Sequence, residues 1–141
     1  MFYASAAIAV VGAIGYQYFV KRVPASLNPV VSVIGVYGSV LVLSATLLAA
    51  FPTQGGLLKQ FRQLGWVQLV IAVAVLMIEI GFLLMYRYGW QLNTGNLVTG
   101  AVVNVALVVV GLSVLGEKVN AANILGIAVT IVGVALISYH P

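Results

Sequence analysis

Glu79 is the acidic residue that lies inside a long apolar run, between Trp66 and Tyr86. At 1.5 Å per residue it sits about 20 Å along a helix that starts near Trp66, well within the thickness of a bilayer. A charged side chain at that depth costs about 2.5 kcal/mol or more, and no basic residue occurs within any of the apolar runs to pair with it. The cheaper states are a protonated carboxyl and a carboxylate facing a wet cavity. A group that passes between those two states meets the requirement of a proton-coupled site. The alternative is a protonated side chain hydrogen-bonded to a neighbouring helix, where it holds a bundle together without transport.

Helical spacing supplies Glu79 with neighbours. Gln68, Ala72, Val75, Glu79, Phe82 and Tyr86 share one face, which combines polar ends, a small residue and two aromatics. Gly100, Asn104 and Gly111 share a face of a later run, and Ser32, Gly35, Ser39 and Thr46 roughly share one on an earlier run that also carries Tyr37. A polar-lined cavity can be built from these faces, with Glu79, Asn104, Tyr37, Phe82, Tyr86 and Ser39 as the candidate proton- and substrate-binding set. For Asn104, Tyr37 and the serines the competing role is interhelical hydrogen bonding. Two further stripes are small-residue faces suited to close helix approach: Ser5, Ala9 and Gly12, and Gly126, Thr130 and Gly133. Gly126 and Gly133 are the preferred contact between subunits.

Other chemistries lack their residues. Cysteine is absent and His140 is the single histidine, so neither thiolate sites nor a metal centre has ligands to use, and no cofactor is expected. Glu79 has no second acid, histidine or cysteine beside it within the apolar runs, which argues against an enzyme. Neither rings of charge nor a filter sequence marks a channel. The net charge of +4 comes from basic residues placed singly or in pairs between apolar blocks. Nucleic acid calls for a basic stripe instead and is a poor partner.

The elements that would position these residues follow from composition. Of the 141 residues, 63% are apolar and 6% are charged, against roughly 25% charged in a soluble domain. So few charges cannot cover a water-soluble globule, whereas lipid accepts outward-facing Leu, Val and Ile. Crossing a hydrocarbon core takes about 20 residues, and five apolar runs of that order can be read, over residues 2–20, 29–51, 66–86, 97–115 and 121–139. Lys21, Arg22 and Pro24 stop the first. Pro29 suits the first turn of the second, which Pro52 and the Gly55, Gly56 pair end. A polar connector with Lys59, Gln60, Arg62 and Gln63 follows, and Asn120 is placed to cap the last run. β-Branched residues are frequent, but the runs are twice the length of a membrane strand and apolar on every face. The expectation is an all-α, multi-pass integral membrane protein forming a single domain over residues 1–141. Trp66, Tyr86, Tyr88, Trp90 and Tyr139 sit at run ends, as an aromatic belt would. The first run lacks a preceding basic region and reads as a retained helix, not a signal peptide.

With five crossings, one face of the membrane receives Lys59, Arg62 and Lys118, and the other Lys21, Arg22 and Arg87. Orientation is set by an excess of Lys and Arg on the cytoplasmic side, and three against three provides none. Insertion in both orientations is the reading this balance favours. Helix hydrophobicity or a partner chain enforcing a single orientation is the alternative.

From Gly81-Phe82-Leu83-Leu84-Met85-Tyr86, through an apolar fourth run, to Leu115-Gly116-Glu117-Lys118, Asn120, Ile124-Leu125-Gly126 and Gly133-Val134, the order of residues resembles the closing portion of an EamA-type repeat of the drug/metabolite transporter superfamily. The Gly-Glu pair and the two spaced glycines also resemble the end of small multidrug resistance proteins. The resemblance covers roughly residues 81–139, and the first two helices by pattern alone. It implies one five-helix repeat, with two copies joined as an antiparallel homodimer in the cytoplasmic (inner) membrane of a prokaryote. Gly116, Glu117, Gly126 and Gly133 carry over as framework and dimer-packing positions. The essential carboxylate of small multidrug resistance proteins lies in the first helix, which here holds no acid, so Glu79 is not an inherited site. The expected function is secondary active transport of a small metabolite or drug by alternating access; the placement of Glu79, and not the resemblance, adds proton exchange at that residue and a cationic or amphipathic substrate. The alternatives are translocation of a neutral or lipid-linked metabolite, and a non-transporting membrane subunit of a hetero-oligomer.

Overall fold

A computed structural model describes residues 2–52, 55–116, 118 and 120–139. Among them the secondary structure is entirely helical. The helices are α1 (Phe2–Val20), α2 (Pro29–Leu47), α3 (Leu57–Phe61), α4 (Trp66–Arg87), α5 (Leu92–Ser113) and α6 (Ala121–Ser138). Four of them, α1, α2, α4 and α5, are long and apolar enough to cross a membrane. The last, α6, is apolar over Ala121–Leu136 and falls short of the other four. Large apolar side chains point outward on these helices, Leu41 being 72% and Met77 70% exposed. Water would penalise such faces and lipid would not.

Local chemistry explains where the helices begin and end. Asn28 caps α2 by accepting from the Val30 amide at 2.8 Å, and Pro29 occupies the first turn, where a missing N–H costs nothing. The helix ends at Leu47 and not at 51, because the amides of Leu48, Ala49 and Ala50 turn to carbonyls three residues back. Pro52 disfavours helical backbone at the residue before it. In the connector that follows, residues 57–61 form the short α3. Gln68 accepts from the Gly65 amide at 2.8 Å and so closes the start of α4. At the other end of α4, Gly89 adopts a φ of +91°, a left-handed conformation that glycine takes without penalty.

The start of α5 at Leu92 precedes the apolar run expected from residue 97. Its first turn includes Asn93, Thr94 and Gly95, residues that by type belong in a loop. The helix nevertheless forms, with the Gly95 amide bonded to the Gln91 carbonyl at 2.9 Å. Downstream of Ser113 the amides of Val114 and Leu115 both reach the Val110 carbonyl. Gly116 then turns the chain with a φ of +65°. Asn120 caps α6 by accepting from the Ala122 amide at 3.1 Å, the role its position predicts. Glu117 and His140 lie outside the described residues.

The chain divides into two compact units, Tyr18–Tyr88 and Met1–Gln17 with Gly89–Pro141. Within the first, α2 packs on α4. The two run antiparallel, since Arg87 at the end of α4 reaches Leu27 before α2 while Glu79 meets Tyr37 a few turns in. Within the second, α5 packs on α6, and Gln17 of α1 donates to Asn96 of α5 at 3.1 Å.

Candidate functional site

The buried residues of α2 are Ser32 and Val33, and those of α4 are Glu79, Leu83 and Tyr86. Glu79 is only 6% exposed, as hidden as the apolar Val33 of α2. An acid buried this deeply needs a hydrogen-bond partner. It has one, the Tyr37 hydroxyl, which donates to Glu79 Oε1 at 3.3 Å across the two helices. Helical geometry permits this bond because Tyr37 is four residues from Val33, so both lie on the face of α2 turned to α4.

Tyr37 also lines a groove of about 450 Å³ between α2 and α4. Its walls are Val33, Ile71, Ala72, Val75 and Leu76, with Gln68 at one end. The groove is therefore apolar, and Tyr37 links it to a buried carboxyl. One turn beyond Glu79, the Phe82 and Tyr86 rings stack with centroids 6.0 Å apart. Leu83 at 4% and Tyr86 at 9% exposure close α4 between Glu79 and the helix end. Glu79, Tyr37, Phe82 and Tyr86 thus lie together in the Tyr18–Tyr88 unit.

Ser39 does not join that group, and Asn104 is described within its own unit. Asn104 belongs to the other unit, where it lines a groove of about 610 Å³ between α5 and α6 together with Asn123, Gly126 and Thr130. Ser39 lies on an exposed face of α2 and donates to the Gly35 carbonyl at 2.9 Å. Thr46, Thr99, Ser113 and Thr130 likewise bond carbonyls of their own helices. In an apolar medium, satisfying a hydroxyl within its own helix removes the need for any partner. The polar stripe on α2 is for that reason less available to a ligand than its composition implies.

The glycine faces carry room for added atoms among the described residues. A β-carbon added at Gly12, Gly126 or Gly133 would meet nothing within 4 Å. Gly116 has a conformational role, fixed by its positive φ. Asn123 was missed at the level of sequence, although it stands three and seven residues before Gly126 and Thr130 and so shares their face. Gln17 and Asn96 were missed as well, and the signal for them is that a primary amide inside an apolar helix needs a partner. Among the described residues no group of three His, Cys, Asp or Glu side chains could hold a metal ion.

No family model, no curated protein and no solved structure matches this chain.

Proposed function

We propose that this chain is a five-span membrane protein equivalent to one EamA-type repeat of the drug/metabolite transporter superfamily. In this reading two copies form an antiparallel homodimer in the inner membrane of a prokaryote. The pair moves a small cationic or amphipathic substrate by alternating access. The fifth span is α6, whose 18 residues extend about 27 Å, at the short end of the range that crosses a core of about 30 Å.

The observation that carries the reading is Glu79, 6% exposed and bonded to Tyr37 across the α2 and α4 pair. Inverted copies of a repeat place such a residue near the midplane, where alternating access operates. The Tyr37 hydroxyl partly replaces the water that a carboxylate would otherwise need. Proton and cationic substrate then compete for one carboxylate, so that loading one releases the other. The apolar groove beside Tyr37 would take the uncharged part of an amphipathic substrate.

Transport assays in proteoliposomes with an imposed pH gradient test this role. Glu79→Gln keeps size and hydrogen bonding but cannot exchange a proton, and it is expected to abolish gradient-driven accumulation while leaving the protein folded. Undiminished gradient-driven transport by that variant would refute the assignment.

A further inference from the structure

The structure gathers three of the six basic residues at one end of the Tyr18–Tyr88 unit. Lys21 and Arg22 follow directly on α1, and Arg87 ends α4. Arg87 Nη2 donates to the Pro24 carbonyl at 3.4 Å and to the Leu27 carbonyl, and so ties the turn that carries the other two cations to the end of α4. Lys21 Nζ lies 5.9 Å from the centroid of the Tyr86 ring, next in sequence to Arg87. The Arg22 guanidinium lies 4.4 Å from the centroid of the Tyr18 ring. An aromatic ring covers a cation's face and leaves its N–H donors open to an oxygen anion.

Within the Tyr18–Tyr88 unit no described acidic side chain lies at this end. Among the described residues the one carboxylate is Glu79, eight residues up α4 or about 12 Å away, behind the buried Leu83 and Tyr86. The helix C-termini of α1 and α4 contribute roughly −0.5 each and the N-terminus of α2 roughly +0.5, which leaves about +2.5 at this end. Neither Lys21 nor Arg22 has a described side-chain hydrogen bond, and both are exposed. If helix placement alone explained these residues, the C-terminal charges would balance them more nearly.

From this arrangement we infer that Lys21, Arg22 and Arg87 form a binding site for a phosphate ester, with the headgroup of an anionic phospholipid as its ligand. Two exposed cations lie against aromatic rings, and the third fastens the turn that follows them. Tyr18 and the 82% exposed Tyr88 are amphipathic side chains of the kind that reside at headgroup depth. Basic clusters at that depth bind anionic headgroups. The inference rests on membrane insertion of α1 and α4 and is independent of transport.

The test uses the full chain in detergent, titrated with short-chain phosphatidylglycerol, short-chain phosphatidylcholine and inorganic phosphate, with bound ligand counted by native mass spectrometry. Wild type is expected to prefer phosphatidylglycerol over phosphatidylcholine. Each surface cation contributes about fivefold, so K21Q/R22Q should bind phosphatidylglycerol about 25-fold more weakly, and K21Q or R22Q alone about fivefold. K59Q/R62Q removes two cations from the connector around α3 and should leave binding unchanged. Binding of inorganic phosphate that K21Q/R22Q abolishes would uphold the site and identify free phosphate as a source. Undiminished binding in K21Q/R22Q, an equal loss in K59Q/R62Q, or no binding of either anion by wild type would overturn it. Retained helical circular dichroism in the variants separates a lost site from a lost fold, and the single variants carry the test if the double variant unfolds.

Discussion

Glu79 and Tyr37 place opposing demands on the α2 and α4 pair. Burial at 6% exposure takes the carboxyl out of contact with solvent, while the 3.3 Å bond from Tyr37 offers it one polar contact. The strength of that contact is measurable with a double-mutant cycle. Tyr37→Phe keeps the ring in its groove and removes the donor, and Glu79→Leu removes the acceptor at similar volume. Interhelical hydrogen bonds in membranes couple by about 0.6 kcal/mol, with an upper bound near 1.7 kcal/mol, and equilibrium unfolding of the four proteins in mixed micelles should return a value in that range. Zero coupling would mean that the two side chains do not meet in a bilayer-like medium. Glu79 was legible in the sequence because one acid in an apolar run must be buried and must be partnered. Its partner was legible only as a member of a wider set. Tyr37, Ser39 and Asn104 look alike as polar residues in apolar helices, and nothing in their spacing reveals that Ser39 bonds Gly35 or that Asn104 belongs to the other unit.

Helix ends follow from caps and turns more than from the hydrophobic runs between them. Asn28 and Asn120 each accept from the amide two residues on, the arrangement that satisfies an otherwise orphaned donor at a helix start. Asn28→Ala and Asn120→Ala are each expected to destabilise the protein by about 1 kcal/mol, read as a lower midpoint in thermal unfolding, with Asn→Ser retaining most of the stability. A loss no larger than that of an alanine elsewhere in the same turns would show that the caps contribute nothing. Asn120 was expected as a cap from its place before an apolar run, and the start of α4 at Trp66 also agrees with the sequence. The start of α5 does not, because counting apolar residues discounts Asn93 and Thr94. That count cannot detect backbone bonds such as the one from Gly95 to Gln91. Periodicity misses α3 for a different reason: five residues are too few to establish a pattern.

At the scale of the molecule, orientation in the membrane is the property most sensitive to a single charge. The proposed five crossings put Lys21, Arg22 and Arg87 on one side and Lys59, Arg62 and Lys118 on the other, so one added lysine creates the majority that insertion reads. Ser26 lies in the turn after Lys21 and Arg22, and Gln63 in the connector beside Arg62. Ser26→Lys is therefore expected to hold the C-terminus in the cytoplasm, and Gln63→Lys to hold it outside, whereas wild type should report both locations with a C-terminal reporter active on one side of the membrane. The proposed dimer adds a functional consequence. Each variant alone supplies one orientation, lacks its inverted partner and should not transport, while the two expressed together should regain activity. Small-residue faces at Gly126 and Gly133 leave room for such a partner, since a β-carbon there meets nothing within 4 Å among the described residues. Transport by either variant alone would dismiss the antiparallel dimer, and a wild-type C-terminus found on one side in every molecule would dismiss dual insertion while leaving the test of Glu79 intact.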